Sequence, residues 1–389
     1  MKKNRKIAIE LYDIGNRNVG LGEFTWQLAT HLARRAAALR QQYGIIFYFI
    51  VPYGYKGCFG NDVRYIQLSH INRYLIRHYP IRMDLCHLTH QYSRIKYMSF
   101  AQHNLMTIHD INFLYEKNGA KLKIYSELFR RRLEKVNWLS YISKFAQHDV
   151  AIHFTPSQPS RVIYNGVANL NQPSAHARNV LTRFALPDRF LLHISSLQPK
   201  KNAHLLVAMM AQLPKEHLAL IGNWSSEYGK QLKRRIVKSG LHNITPLDPV
   251  TSEEKAALYA CCRGFLFPSL CEGFGLPPIE AMHFGKPVFL SRLTALPEIG
   301  GPVAYYYDDL TPEAMAAVTK KGLAAFYEDE EEAAKQVRRW AQQFDWSRCA
   351  EEYIAYYLHI IYGKEYLSIF HAIPEREVIS QECIIEGIQ

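Results

Sequence analysis

Two glutamates, a lysine pair and a histidine follow apolar runs in this chain, where side chains can serve a ligand instead of a core. Glu272 and Glu280 stand eight positions apart in Pro268-Ser-Leu-Cys-Glu272-Gly-Phe-Gly-Leu-Pro-Pro-Ile-Glu280. The run Phe265–Phe267 before them reads as a buried strand ending at Pro268. Gly273 and Gly275 leave the backbone bare for close approach of a ligand. Pro277 and Pro278 suit the first turn of a helix, which Ile279, Met282 and Phe284 carry to Gly285, before a strand Pro287–Leu290. The spacing places Glu280 in that first turn, so both carboxylates can face one crevice at the carboxyl end of a sheet. Carboxylates there accept hydrogen bonds from paired hydroxyls, and the loop amides with the positive helix end attract a diphosphate.

Lys200 and Lys201 follow the strand-like Phe190–Ser195 and precede the helical pattern of Leu205, Leu206 and Met209, a place where they meet phosphate as point charges. His109 ends the buried run Met106–Ile108 and suits a hydroxyl contact or a proton transfer; Asp110 orients it or caps the next turn. Gly20 and Gly22 lie in the loop Asn18-Val-Gly-Leu-Gly-Glu-Phe-Thr25, between the first strand and an amphipathic helix with Trp26, Leu28, Leu32 and Ala33, and allow tight backbone packing near an anion. As a dinucleotide fingerprint they are weak, since Thr25 replaces the third glycine and no acid ends the second strand. Singly, each of these residues also fits a plainer role: a helix-dipole partner, a solvated loop charge, exposed lysines, a core histidine or a tight turn.

Taken together, Glu272 to Glu280 resembles the Glu-x7-Glu signature of the retaining glycosyltransferases of family four, and Ala295-Leu-Pro-Glu298-Ile-Gly-Gly301 is similar to that family's later Pro-Glu segment. The His109-Asp110 pair, Leu139–Phe145 and Asn165-Gly-Val167 resemble further family segments. The resemblance covers roughly residues 5–362. It implies an α/β chain with the GT-B fold: two Rossmann-like doubly wound domains facing a central cleft. It also implies transfer of a sugar from a nucleotide-sugar donor, with retention at the anomeric carbon and no obligatory metal or cofactor. By the same token Lys201, with Lys200, meets the diphosphate and Glu280 the ribose. Glu272 and the turn Gly273, Phe274, Gly275 and Leu276 grip the sugar. Gly20, Gly22 and Asn165 complete the donor side, and His109, Glu272 and Lys201 are the catalytic candidates. The segment Leu197–Asn202 leans toward mannosyltransferases and a GDP-mannose donor, with a UDP-sugar next. One departure stands out: Ser195-Ser196 occupies the place of a Gly-Arg pair in many relatives.

The elements that must position these residues are legible as alternating strands and helices. Strands are expected at Ile7–Leu11, Ile45–Val51, Tyr65–Leu68, Leu85–Leu88, Leu105–Ile108, Leu139–Ile142 and Val162–Tyr164, then at Leu218, Ile244–Leu247, Phe265 and Val288. Residues 1–170 read as an acceptor-side domain, 171–178 as a linker and 179–343 as the nucleotide-sugar domain. Residues 344–362 read as a terminal helix returning to the first domain, and 363–389 remain an unassigned tail.

At 389 residues with 48% hydrophobic composition, the chain can bury two cores. No apolar run is long enough to span a bilayer, no secretory leader is visible, and seven scattered cysteines lack a Cys-x-x-Cys pair. A cytoplasmic protein without structural zinc is expected. Charge is lopsided: residues 1–170 hold 24 Lys and Arg against 10 Asp and Glu, while the rest is close to neutral. A basic half calls for an acidic partner. We expect an anionic membrane surface on the inner face, met by Arg130, Arg131, Arg132 and Lys135, with a lipid-linked or lipopolysaccharide-type glycan as acceptor. The acidic runs Asp308-Asp309 and Glu328–Glu332 complete no metal site. Two other readings remain: a catalytically silent sugar-nucleotide-binding subunit, and a nucleic-acid-binding protein, which lacks any accompanying motif.

Overall fold

The computed structural model describes residues 4–15, 20–68, 79–93, 95, 99–167 and 177–363. Asn18 and Val19 of the glycine segment, residues 71–78 of a basic aromatic stretch, most of the expected linker and the tail after Gly363 lie outside them. The chain divides into two compact units, Met1–Gly166 with Asp345–Gln389, and Val167–Phe344.

The first unit holds a seven-stranded parallel sheet. Its strands are β1 (Arg5–Glu10), β2 (Ile45–Pro52), β3 (Arg64–Leu68), β4 (Met83–Leu88), β5 (Ala101–Ile108), β6 (Trp138–Tyr141) and β7 (Ser160–Val162), in the order β3-β2-β1-β4-β5-β6-β7. Runs such as Ile-Ile-Phe-Tyr-Phe-Ile-Val form strands because both faces of a parallel sheet are covered by helices. The order reverses between β1 and β4, where loops part and leave room for a ligand.

Helix Gly20–Tyr43 covers one face, and the helix Trp346–Tyr362 packs beside it into the same core. Two tyrosines of the latter reach the sheet through a buried chain of hydroxyls. Tyr357 bonds Nδ1 of His87 at 2.7 Å, His87 Nε2 bonds Thr107 Oγ1 at 2.7 Å, and Tyr353 closes on Thr107 at 2.9 Å. Arg35, 1% exposed, bonds Ser347 and pairs with Glu351 at 2.9 Å. A buried cation is tolerated only with such partners.

The second unit is a six-stranded parallel sheet of β8 (Leu191–Ile194), β9 (Leu218–Ile221), β10 (Ile244–Leu247), β11 (Gly264–Phe267), β12 (Val288–Ser291) and β13 (Tyr305–Tyr307), ordered β10-β9-β8-β11-β12-β13. Its reversal falls between β8 and β11. The last strand, Tyr-Tyr-Tyr, is one the sequence reading did not name: three residues between Gly-Pro and Asp-Asp give too short a pattern to stand out. Among the described residues Cys86, Cys261, Cys262, Cys271 and Cys349 are free thiols.

Gly166 ends the first passage through the first unit. A Cβ there would sit 2.5 Å from the Cα of Trp346, the residue that opens the returning helix. Backbone cannot yield as a flexible side chain does, so Gly166→Ala should destabilise the chain by about 1–3 kcal/mol. Denaturant titration against the parent checks this; an unchanged midpoint would mean that the contact relaxes freely.

Candidate functional site

Three loops leave the second sheet at the carboxyl ends of β8, β11 and β12, beside the reversal of strand order. The first holds two non-glycine residues in the left-handed region, Leu197 at φ 47° and Asn202 at φ 60°. Leu197 is buried, which offsets the strain; Asn202 adopts this conformation readily and opens helix Ala203–Met210. Between them Pro199–Lys201 forms one tight turn that delivers Lys201.

Lys201 Nζ donates to Glu272 Oε1 at 2.5 Å and lies 5.3 Å from the centre of the Phe267 ring. The two side chains are 14% and 13% exposed, so the pair is screened far less than a surface ion pair. The backbone fastens the same loops. Lys200 gives its carbonyl oxygen to the Leu270 N–H at 2.8 Å and to the Ser269 hydroxyl, while the Glu272 N–H donates to Thr294 Oγ1 at 3.0 Å.

Glu280 is the fifth residue of helix Leu276–His283 and so stands just past the first turn, whereas the sequence spacing had placed it within that turn. Its carboxylate accepts from Lys255 Nζ at 2.7 Å and from the Tyr259 hydroxyl at 2.8 Å. Both donors lie one turn apart on helix Ser252–Cys261, whose start is fixed by a capping box between Thr251 and Glu254. Burial, then the Glu280 charge, push the Tyr259 phenol well above its ordinary range, so it stays a hydrogen-bond donor.

The bare turn expected at Gly273 and Gly275 is packed instead. Both glycines are buried, and Gly273 and Phe274 already have partners. Gly275 sits at φ 123°, where a Cβ would also press on Leu296, and the Phe274 ring meets Phe344 edge-on at 5.7 Å. Leu276 starts the helix half-buried. The glycines therefore serve backbone shape at least as much as ligand approach.

Ser195 is held by a residue that sequence reasoning passed over. His193, fully buried, faces the Leu266 carbonyl through Nδ1 at 2.8 Å and Ser195 Oγ through Nε2 at 2.9 Å. A carbonyl only accepts, so Nδ1 carries the proton and Nε2 accepts from the serine hydroxyl. Ser195 Oγ in turn accepts the Leu197 N–H at 3.2 Å. The serine thus braces the loop from inside. Lys255, Tyr259, His193 and Thr294 were missed because each meets its partner from a separate element, at a place no local pattern marks.

In the first unit, His109 follows β5 and is buried. Its Nε2 donates to the Thr89 carbonyl oxygen at 2.9 Å, leaving Nδ1 as an acceptor, and its ring abuts Phe24 at 4.8 Å. Asp110 accepts the Asn112 N–H and caps the turn. Gly20 and Gly22 fall inside helix Gly20–Tyr43, so they belong to its first turn and not to a preceding loop. Asn165 is buried, and its side-chain oxygen has no hydrogen-bond partner among the described residues.

The basic cluster needs a correction. Arg132 is less available to an outside surface than expected: it is partly buried and donates to the Ile95 and Ser93 carbonyls at 2.6 and 2.9 Å. Arg130 and Arg131 are exposed, and both pair with Glu127. Among the described residues no helix is long and apolar enough to cross a membrane, and no cluster of three or more His, Cys, Asp or Glu side chains is placed to hold a metal ion.

Burial holds four histidines neutral: His87 and His90 fall to about 3, His109 and His193 to about 4. An unfolded chain takes up these protons near pH 6.5, while the folded chain does so only near 3 to 4. Acidification below 6.5 therefore favours the unfolded state, and stability should fall steadily from pH 6.5 to 4. Denaturation midpoints across that range test this; a flat profile would contradict the buried neutral rings.

Residues 182–343, all within the second unit, match the model of the family described as "Glycosyl transferases group 1". Serotype-specific mannosyltransferase WbdA of Escherichia coli is 27% identical over 230 residues, 53% of this chain, and the chain spans only 27% of that relative's length. O-antigen chain mannosyltransferase B of Escherichia coli is 28% identical over 269 residues, covering 64% of this chain and 69% of the relative. Among solved structures, the sucrose-phosphate synthase of Thermosynechococcus elongatus has a TM-score of 0.72 at 20% identity, covering 93% of this chain and all of that one. Anabaena HepE, in complex with UDP and glucose, has a TM-score of 0.67 at 18% identity, with 91% and 99% covered. The fold is GT-B in kind, two Rossmann-like α/β units.

Proposed function

We propose, from the premise that residues 182–343 are a group 1 glycosyl transferase segment, that this chain moves a hexose from a nucleotide-sugar donor to a glycan or lipid-linked acceptor. The observation that carries this reading is the Lys201–Glu272 pair with Glu280 nearby in sequence, set on loops at the reversal of a parallel sheet. Such a place suits a nucleotide.

In this scheme the Lys201 ammonium offsets the charge that gathers on the diphosphate as the bond to the anomeric carbon breaks. Glu272 accepts from sugar hydroxyls, above the packed turn Gly273–Leu276. Glu280, steadied by Lys255 and Tyr259, keeps acceptor capacity for the ribose hydroxyls, because each carboxylate oxygen has two lone pairs. Burial lowers the His109 pKa and keeps its ring neutral, so that Nδ1 is open to accept a hydrogen bond from a hydroxyl. Lys200, on the same tight turn as Lys201, completes the donor side within the second unit. We assign retention at the anomeric carbon and no obligatory metal.

Relatives named as mannosyltransferases, two of them of the O-antigen chain, support mannose as the sugar moved; our reading takes GDP-mannose as donor, with a UDP-sugar next, and a lipopolysaccharide-type acceptor on the inner membrane face. A silent sugar-nucleotide-binding subunit is the second reading, favoured by Ser195, whose hydroxyl is committed to His193 and the loop backbone. Donor binding without turnover would select it.

Screening hydrolysis and transfer over UDP-, GDP-, ADP- and CMP-sugars tests the proposal. Lys201→Ala should lose about 10²–10³ in kcat. Glu280→Ala should raise the donor KM; normal donor affinity would remove Glu280 from the ribose. Lys255→Ala, which acts only through Glu280, should raise the donor KM by roughly ten-fold and leave kcat nearly unchanged, the loss expected of one charge-assisted contact. The anomeric configuration of the product, read by NMR, decides retention.

A further inference from the structure

Helix Gly119–Leu133 turns an unusual face outward. Its inner side is given by Phe129 and Leu133, which are buried. Lys121, Ile124, Leu128 and Arg131 follow at spacings of three, four and three, which is one line along a helix, and all four are exposed. Ile124 is 56% and Leu128 52% exposed, and Tyr115, from the short helix just before, is 54% exposed. The helix holds five basic residues and one acid, Glu127, already paired with Arg130 and Arg131. What sets Ile124 and Leu128 apart is their alignment, four residues apart on one line and flanked by cations, which makes a small contiguous apolar ridge.

We propose that this face rests on an anionic lipid bilayer, with Ile124 and Leu128 entering the interface and Lys121 and Arg131 meeting headgroup phosphates. Charge chooses the occupant: a cation at each end of a narrow apolar ridge complements an anionic surface and repels a second copy of the same face. The ridge is convex and made of two side chains, which suits a fluid interface better than a shaped protein pocket. This deepens the inner-face placement proposed above and corrects its geometry, since Arg132 is tied inward and the apolar pair takes its place. It stands apart from the donor chemistry.

The test is flotation of the full chain with phosphatidylcholine vesicles, with and without phosphatidylglycerol. Binding is expected only to the anionic vesicles and should weaken with salt. Ile124→Ser with Leu128→Ser should cut partitioning roughly ten-fold or more, as fits the loss of two aliphatic anchors, with circular dichroism and donor hydrolysis unchanged. Lys121→Gln with Arg131→Gln should weaken binding and flatten its salt dependence. The proposal is overturned if the parent ignores anionic vesicles or if the serine pair binds as the parent does. It is overturned equally if the serine pair disperses a lipid-free dimer, which would give the face to a second copy. Donor hydrolysis, read on the same samples without lipid, reports separately on the glycosyl transfer.

Discussion

The ion pair between Lys201 and Glu272 is the constraint around which the second unit's site is arranged. It joins the loop after β8 to the loop after β11, the two strands flanking the reversal of the sheet. Each partner is also fixed through its backbone surroundings: Lys200 by Leu270 and Ser269, Glu272 by Thr294 on the loop after β12. Two charges this far from water hold each other in place, and neither can be removed without stranding the other.

Much of this was legible in the sequence because parallel strands, buried on both faces, advertise themselves as short apolar runs. All seven strands of the first unit lie within a few residues of their expected places, and the Pro-Pro start of helix Leu276–His283 follows from proline's missing donor. What the sequence hid were partners brought together by topology. Lys255 is 25 residues before Glu280, and His193 meets Leu266 only because β8 and β11 are neighbours. Arg132 misled for a related reason: three arginines in a row read as one patch, but successive helical residues point 100° apart, and one of them faced inward.

The interior of the first unit is unusually polar for a core. His87, Thr107, Ser140, Tyr353 and Tyr357 form a closed hydroxyl–imidazole network under the sheet, and every member is buried. Fully satisfied networks of this kind specify one arrangement at little net cost, whereas a greasy interface of equal size would tolerate several registers. That explains how one helix is positioned with the accuracy of a strand.

The same helix has a consequence for biosynthesis. Since Trp346–Tyr362 completes a unit that begins at the other end of the chain, the early strands emerge from the ribosome long before their last covering element exists. Residues 167–344 are synthesised whole in that interval and can acquire their own core first. The opening half must meanwhile wait with the part of its apolar face that this helix covers still open to solvent.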